Sequence, residues 1–380
     1  MKKKRPARPE TRLIYAASET DCDLLYATGL MAPDPFLFIK QGKRTQIAVK
    51  DLELGRAQRQ AHVGRVLSLS RLEQAVERGG GQAEPGQVIR HLLGRLRARR
   101  VKVPSSFPLA LADELRSLGI QVTAAPAPFW PERELKTPSE VKAITVALRA
   151  AEAGLQAGIE ALRGCRIAPD GYLRREGRRF TAEELRSIVN ARVMAEGAVP
   201  AHTICAPGDQ AVDPHEAGHG PIRAHTPIVI DVFPRSESTG YFGDLTRTVV
   251  RGRASERLKE VYALVAEGVR LGQSRVRDGA SGRLIHAEIQ ELFTRRGYPT
   301  GRRGGCMQGF FHGTGHGVGL EIHEAPSIGK RGTTLRAGHV VTVEPGLYYK
   351  GLGGVRIEDL VLVRQRDCRN LTQIPKSLEI

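Results

Sequence analysis

Asp231, Asp244, His316, Glu344 and Glu358 are the residues of this chain best suited to chemistry, because each ionisable group sits in a short apolar or glycine-rich setting. Asp231 ends Pro227-Ile228-Val229-Ile230, a β-branched run that reads as a buried strand. Glu344 ends a second such run, Val340-Val341-Thr342-Val343, and Pro345-Gly346 follow at once. A lone carboxylate buried at either place would cost several kcal/mol or would take up a proton. Four carboxylates and one imidazole converging on two divalent cations would remove that cost. The pattern points to a metal enzyme.

Asp231 and Asp244 lie 13 residues apart in IDVFPRSESTGYFGDLTRT. That interval is too long for one helix face and predicts a hairpin with Ser238-Thr239-Gly240 near its turn, so that neighbouring strands aim both carboxylates at one point. Thr246 and Thr248 follow on alternate positions and are suited to orienting the ligands. His312, His316 and His323 fall in HGTGHGVGLEIHE, beside Glu321 and Glu324. A zinc-protease helix would also space histidines as His-x-x-x-His, but Gly313, Gly315, Gly317 and Gly319 forbid a good helix, and Gly rather than Glu follows His312. These glycines also lack the spacing of a dinucleotide-binding loop. Extended backbone with close approach at the glycines is expected. In GGVRIEDL, Val355 and Ile357 alternate with Arg356 and Glu358, which puts the two charged groups on one strand face. Arg356 either pairs with its neighbour or faces a substrate.

These residues need elements to hold them. Thr137 with Glu140 forms a capping-box pair, Pro138 stands at the first helical position, and Val141, Ile144, Leu148, Ala151, Leu155, Ile159 and Leu162 keep one apolar face to a stop near Gly164. Thr181 with Glu184 starts a second helix that runs to about Glu196, where Gly197 ends it. Ser255 opens a third through Leu271, and Ser281 a fourth that stops near Gly297. Strand-like segments bearing the candidate ligands follow each helix pair, so two similar halves packed face to face are expected, with the site between them. Upstream, residues 13–123 alternate strand-like and helix-like pieces. Pro35–Ile39 and Gln46–Val49 read as adjacent strands around the turn Gln41-Gly42-Lys43-Arg44, and Gln87–Arg99 and Leu109–Leu118 as amphipathic helices. Gly79-Gly80-Gly81 has no following Lys-Ser/Thr, which argues against a phosphate loop. Between the two regions, residues 124–136 carry three prolines in six positions and read as a linker. The fold class is mixed α/β (α+β).

A chain of 380 residues with 41% hydrophobic and 26% charged residues is long and apolar enough for two soluble globular domains. No apolar run reaches the ~18–20 residues of a membrane span. Leu13–Ala17 is shorter than the core of a signal peptide, so a cytoplasmic protein is expected. Cys22, Cys165, Cys205, Cys306 and Cys368 are odd in number, scattered and never spaced C-x-x-C, the pattern of free thiols rather than a disulfide framework or zinc site. The net charge of +17 includes six cations within residues 1–12, a basic tail set against Glu10. The remaining excess is spread along the chain, without an aromatic-interleaved stripe or a nucleic-acid-binding motif, which argues against specific nucleic-acid recognition.

The segments DVFPRSESTGYFGDLTRT, HGTGHGVGLEIHE, TVEPGLYY and GGVRIED resemble those of the metallopeptidases with the pita-bread fold, a family that includes Xaa-Pro aminopeptidase, Xaa-Pro dipeptidase and methionine aminopeptidase. All five metal-ligand positions match in type and order. Residues 137–370 resemble its catalytic domain and residues 13–123 the creatinase-like N-terminal domain of its proline-directed members, leaving 371–380 as a C-terminal tail. The interval from Asp231 to Asp244 is two residues longer than usual, which would lengthen the hairpin tip. The resemblance implies that Asp231 binds one metal, His316 and Glu344 the other, and Asp244 and Glu358 both. It further implies a water shared by the metals, Glu344 as proton shuttle, His323 steadying an oxyanion, His215 on the substrate side and His312 lining the pocket for the residue after the cut. Oxygen-rich ligation favours Mn(II) over Co(II), Fe(II) or Zn(II). The expected function is a dinuclear exopeptidase acting on a peptide or dipeptide at an Xaa-Pro bond, as a homodimer. A non-catalytic binding protein on the same fold, or a lyase or other hydrolase, is the alternative.

Overall fold

A computed structural model describes residues 9–380. Most of the basic tail expected over residues 1–12 lies outside the described residues, and Thr11 and Arg12 already belong to the first strand, Thr11–Ala16. The chain divides into two compact units, Met1–Arg133 and Glu134–Ile380.

The first unit is built on one six-stranded sheet in the order Arg65–Ser68, Arg44–Val49, Phe36–Gln41, Thr11–Ala16, Arg100–Val103, Gln121–Ala124. The three strands nearest the N-terminus run as an antiparallel meander, and parallel partners extend it on both sides. Strand alternation supplies two apolar faces. Leu13, Leu37 and Ile39 pack with helices Leu69–Arg78, Pro85–Arg95 and Leu109–Ser117, whereas Ile14, Phe38, Ile47 and Val49 pack with Cys22–Thr28 and Asp51–Gln60. The expected linker is largely part of this unit. Phe129 and Trp130 are buried in the second face, and the Trp130 indole N–H donates to the Asp23 carbonyl at 2.9 Å. Prolines kept this stretch out of the sheet, but two large aromatic rings had too much apolar surface to leave in water.

The second unit contains the two expected halves. Helix Pro138–Arg163 and helix Ala182–Ala195 both start on a complete capping box, Thr137 with Glu140 and Thr181 with Glu184. They cross closely because a Cβ at Gly154 or Gly158 would stand 2.6 or 2.8 Å from a methyl of Val193 or Val189. Helix Glu256–Arg275 repeats that spacing with Gly268 and Gly272, where a Cβ would come within 2.8 Å of Phe293 on helix Gly282–Arg295 and of Val343 on the sheet. This shared four-residue interval is the clearest trace of the duplication in the sequence.

The first half carries an antiparallel sheet of Ile204–Pro207, Ile228–Val232 and Leu245–Val249. The second carries a five-stranded sheet in the order Glu324–Ile328, Gly315–Gly317, Val340–Val343, Asp359–Val363, Cys368–Asn370, with a hairpin of Gly346–Tyr349 and Gly353–Arg356 beside it. A small sheet over Arg166–Arg179 between the first two helices was not anticipated. Nor are residues 371–380 a free tail. Leu371 is buried, the carbonyls of Ile374 and Pro375 accept from the Arg247 guanidinium, and the Ile380 N–H donates to Val250 at 3.0 Å. Among the described residues no helix is long and apolar enough to cross a membrane.

Candidate metal centre

Every candidate ligand lies in, or next to, a strand of the second unit. Asp231 is in Ile228–Val232, Asp244 immediately precedes Leu245–Val249, His316 is central in Gly315–Gly317, Glu344 follows Val340–Val343, and Glu358 precedes Asp359–Val363. Asp231 pairs in register with Thr246, as the hairpin reading requires. The two halves are stitched where the Glu358 N–H donates to Thr246 and the Thr248 hydroxyl donates to the Arg356 carbonyl. Two glycines set the ligands' depth. A Cβ at Gly243 would be 2.3 Å from the Leu148 nitrogen, and one at Gly315 1.9 Å from the Thr342 oxygen, so backbones touch next to Asp244 and His316. The glycine-rich segment is indeed extended, not helical.

All nine residues singled out in the sequence line one pocket of about 550 Å³: Asp231, Asp244, His316, Glu344, Glu358, His215, His312, His323 and Arg356. Ligand atoms of Asp244, His316 and Glu358 all lie within 4.8 Å of one another. The His316 Nδ1–H donates to the Gly317 carbonyl, which turns Nε2 toward Glu344 Oε1 at 3.3 Å and Asp244 Oδ2 at 3.6 Å. Asp231 and Glu358 are each held by one oxygen while the other remains available. Arg356 donates to Asp231 Oδ2 at 2.7 Å, and Thr246 donates to Glu358 Oε2 at 2.7 Å, leaving Asp231 Oδ1 and Glu358 Oε1 buried without a hydrogen-bond partner among the described residues. Orphaned buried oxygens in an oxygen-rich, one-imidazole donor set fit a divalent cation.

The electrostatics agree. Burial, reinforced by Glu358, Asp231 and Glu344, pushes the Asp244 carboxyl well above the usual carboxylate range. Burial, with Glu344 and Asp231, does the same to Glu358. Burial also penalises the charged forms of His316 and Glu344. Their mutual contact outweighs it, raising the imidazole and lowering the carboxyl. Without cations the centre therefore favours the protonated forms of Asp244, Glu358 and His316 over a wider pH range than free side chains would. Metal loading must displace those protons, so affinity should fall as pH is lowered toward the raised pKa values. Calorimetry of Mn(II) binding in buffers of different ionisation enthalpy should show protons released on binding, with affinity falling as pH is lowered. Release of none would contradict this charge distribution.

Arg356 does not pair with Glu358, and the two do not share one strand. Strand Gly353–Arg356 ends before Glu358, and the guanidinium spans Asp231 and the Tyr348 hydroxyl, the latter at 3.0 Å. Tyr348 in turn donates to His312 Nε2 at 2.8 Å, because His312 Nδ1–H is committed to the Gly313 carbonyl. Burial lowers His312 to about 4, so it is neutral and can accept. Sequence reading missed Tyr348. Its only signal is that it shares a strand face with Gly346, where a Cβ would meet the phenol oxygen at 2.5 Å. His323 stacks edge-on to His316 with centroids 4.3 Å apart, and burial followed by the charge of His316 keeps it neutral. His215 is exposed at the pocket rim. Glu324, near the histidines, faces away and pairs with Lys136.

Residues 142–365, more than half of the chain, match the model of metallopeptidase family M24, and the chain belongs to that family. Its fold is thus the mixed α/β pita-bread fold of that family. It is 39% identical over 142 residues to an uncharacterized peptidase, YqhT, of Bacillus subtilis (strain 168), covering 37% of this chain and 38% of that one. Over 250 residues it is 33% identical to an Xaa-Pro dipeptidase of Pyrococcus furiosus, covering 65% of each. The matches thus span less than two thirds of the length of these relatives. In fold it is similar to an X-Pro aminopeptidase from Thermotoga maritima MSB8, with a TM-score of 0.82 over 98% of both chains at 23% identity.

Proposed function

We propose that this chain is a dinuclear-metal exopeptidase that hydrolyses the N-terminal peptide bond of Xaa-Pro substrates. The observation that carries the reading is the meeting of four carboxylates and His316 in one pocket, with buried oxygens of Asp231 and Glu358 lacking a hydrogen-bond partner among the described residues. Asp231 would hold one cation, His316 and Glu344 the other, with Asp244 and Glu358 shared. When bound, the cations would supply Lewis acidity to a peptide carbonyl and lower the pKa of a bound water. Manganese is the cation we favour, since the donors are mostly hard oxygens.

The chain's own groups do the rest. Arg356 fixes Asp231, and Thr246 fixes Glu358, so each presents its other oxygen. Thr342 donates to Glu344 Oε1 at 3.2 Å and steadies it. Glu344, ionised at neutral pH, accepts the proton of the attacking water and delivers it to the leaving nitrogen. Neutral His323 donates its ring N–H to the developing oxyanion. His215 meets the substrate at the rim, and His312 with Phe311 walls the end that takes the proline ring. Five free cysteines accord with a cytoplasmic location. A homodimer is carried by the family resemblance alone.

Metal-stripped enzyme should cleave an Xaa-Pro dipeptide or a longer Xaa-Pro peptide only after a divalent cation is restored, with Mn(II) the most effective and a Met-Ala peptide at least about tenfold poorer, the discrimination a single pocket contact can give. Mn(II), Co(II) and Zn(II) are added back in turn. No cleavage of any Xaa-Pro substrate with any of them would overturn the proline-directed reading.

A further inference from the structure

The residue at the end of the expected linker has a buried role in the catalytic unit. Lys136 forms an ion pair with Glu324, the two side chains being 1% and 9% exposed. Its ammonium also donates to the Glu134 carbonyl at 3.2 Å, and its backbone N–H donates to Gly338 at 2.8 Å, so the lysine is fixed at both ends. Glu324 is the residue after His323. Its carboxylate accepts from the Glu321 N–H at 3.4 Å and lies where a Cβ on Gly319 would fall 2.5 Å from Oε1. The loop Gly319–Glu324 is thus wrapped around one carboxylate, and Lys136 neutralises that carboxylate.

The same short segment also holds the hairpin before Asp244. Glu140 closes the capping box with Thr137 through one oxygen and accepts from the Tyr241 hydroxyl at 2.7 Å through the other. The neighbouring Phe242 N–H donates to the Gly319 carbonyl at 2.9 Å, joining hairpin to loop. Residues 136–140 therefore grip both the hairpin leading to Asp244 and the loop bearing His323. A buried ion pair adds little net stability over an apolar pair, but it fixes geometry, and removing one partner leaves an uncompensated charge.

We propose that Lys136 is a positioning residue for His323, acting through Glu324 to hold the ring against His316 above the metal centre. This rests on the reading of His323 as the oxyanion donor.

The test is a double-mutant cycle with Lys136→Met, Glu324→Gln and His323→Ala, assayed on an Xaa-Pro peptide with Mn(II), together with crystal structures of the first two variants. Misplacement of a catalytic group by about an ångström can cost on the order of 100-fold. Lys136→Met and Glu324→Gln should each lower kcat roughly 10- to 100-fold with KM changed less than about threefold. Neither should add to the loss already caused by His323→Ala. The Mn(II)-induced rise in Tm should persist in all of them, and the His323 ring should leave its 4.3 Å contact with His316 in the crystals. If Lys136→Met fails to fold, Glu324→Gln carries the test, since it keeps the side-chain acceptor for Glu321. An undisplaced ring, or losses that add to that of His323→Ala, would overturn the proposal. A His323→Ala variant with full turnover would instead overturn the role assigned to His323, while the crystal result would still decide that of Lys136.

Discussion

Asp244→Asn and Glu358→Gln are each expected to raise the thermal stability of the metal-free enzyme while abolishing its stabilisation by Mn(II). Burial and neighbouring carboxylates push both acids well above their ordinary range, so above the unfolded carboxylate pKa of about 4 each acid must take up a proton or bury a charge on folding, and either opposes it. The linkage sign follows. A carboxyl with a raised folded pKa makes the metal-free protein gain stability as pH falls toward the unfolded value. A neutral amide gives that gain at every pH. The same substitution deletes an oxygen that the cations need. Loss of a supporting partner of a metal ligand typically costs about 10- to 100-fold, and loss of a shared ligand should exceed that, at roughly 1,000-fold or more in kcat/KM. Thermal melts with and without Mn(II), at pH 6 and pH 8, read both effects. A metal-free variant less stable than wild type at pH 8 would show that these carboxylates are not in conflict.

Arg356→Met should be the most destabilising single change at the site. The guanidinium is 4% exposed and reaches Asp231, Tyr348 and, at 3.3 Å, the Thr246 hydroxyl. Methionine would leave Asp231 buried without a counter-charge, at a cost of about 3–5 kcal/mol in the metal-free enzyme. Mn(II) should recover part of that loss, because a cation also compensates Asp231. Arg356→Lys should fall between, since one ammonium cannot span both partners as the planar fork does. Urea unfolding in EDTA and in Mn(II) measures the two costs. Equal costs in both conditions would mean that Asp231 is not a metal ligand.

Much of this was legible in the sequence because burying charge is expensive and therefore patterned. Asp231 and Glu344 stood out as acids ending β-branched runs, and the capping boxes at Thr137 and Thr181 marked their helices in the letters alone. Two kinds of feature did not show. Contacts between distant segments, such as Lys136 with Glu324 or Arg247 with the carbonyls of Ile374 and Pro375, have no local signature. Apolar anchoring inside a proline-rich stretch was also hidden, because Pro126 and Pro128 signal only what the backbone cannot do, not where Phe129 and Trp130 will pack. Arg356 combined both difficulties. The alternation of Val355 and Ile357 predicted an unbroken strand, whereas pairing stops at Arg356 and the chain then turns Glu358 back to Thr246.

The most direct measurement is anomalous diffraction from crystals of the full chain loaded with Mn(II), recorded at the manganese edge. Two peaks between Asp231, Asp244, His316, Glu344 and Glu358, with Asp231 Oδ1 and Glu358 Oε1 turned toward them, are the predicted result. A map with no peak in that pocket, or one whose only cation sits elsewhere on the chain, would contradict it.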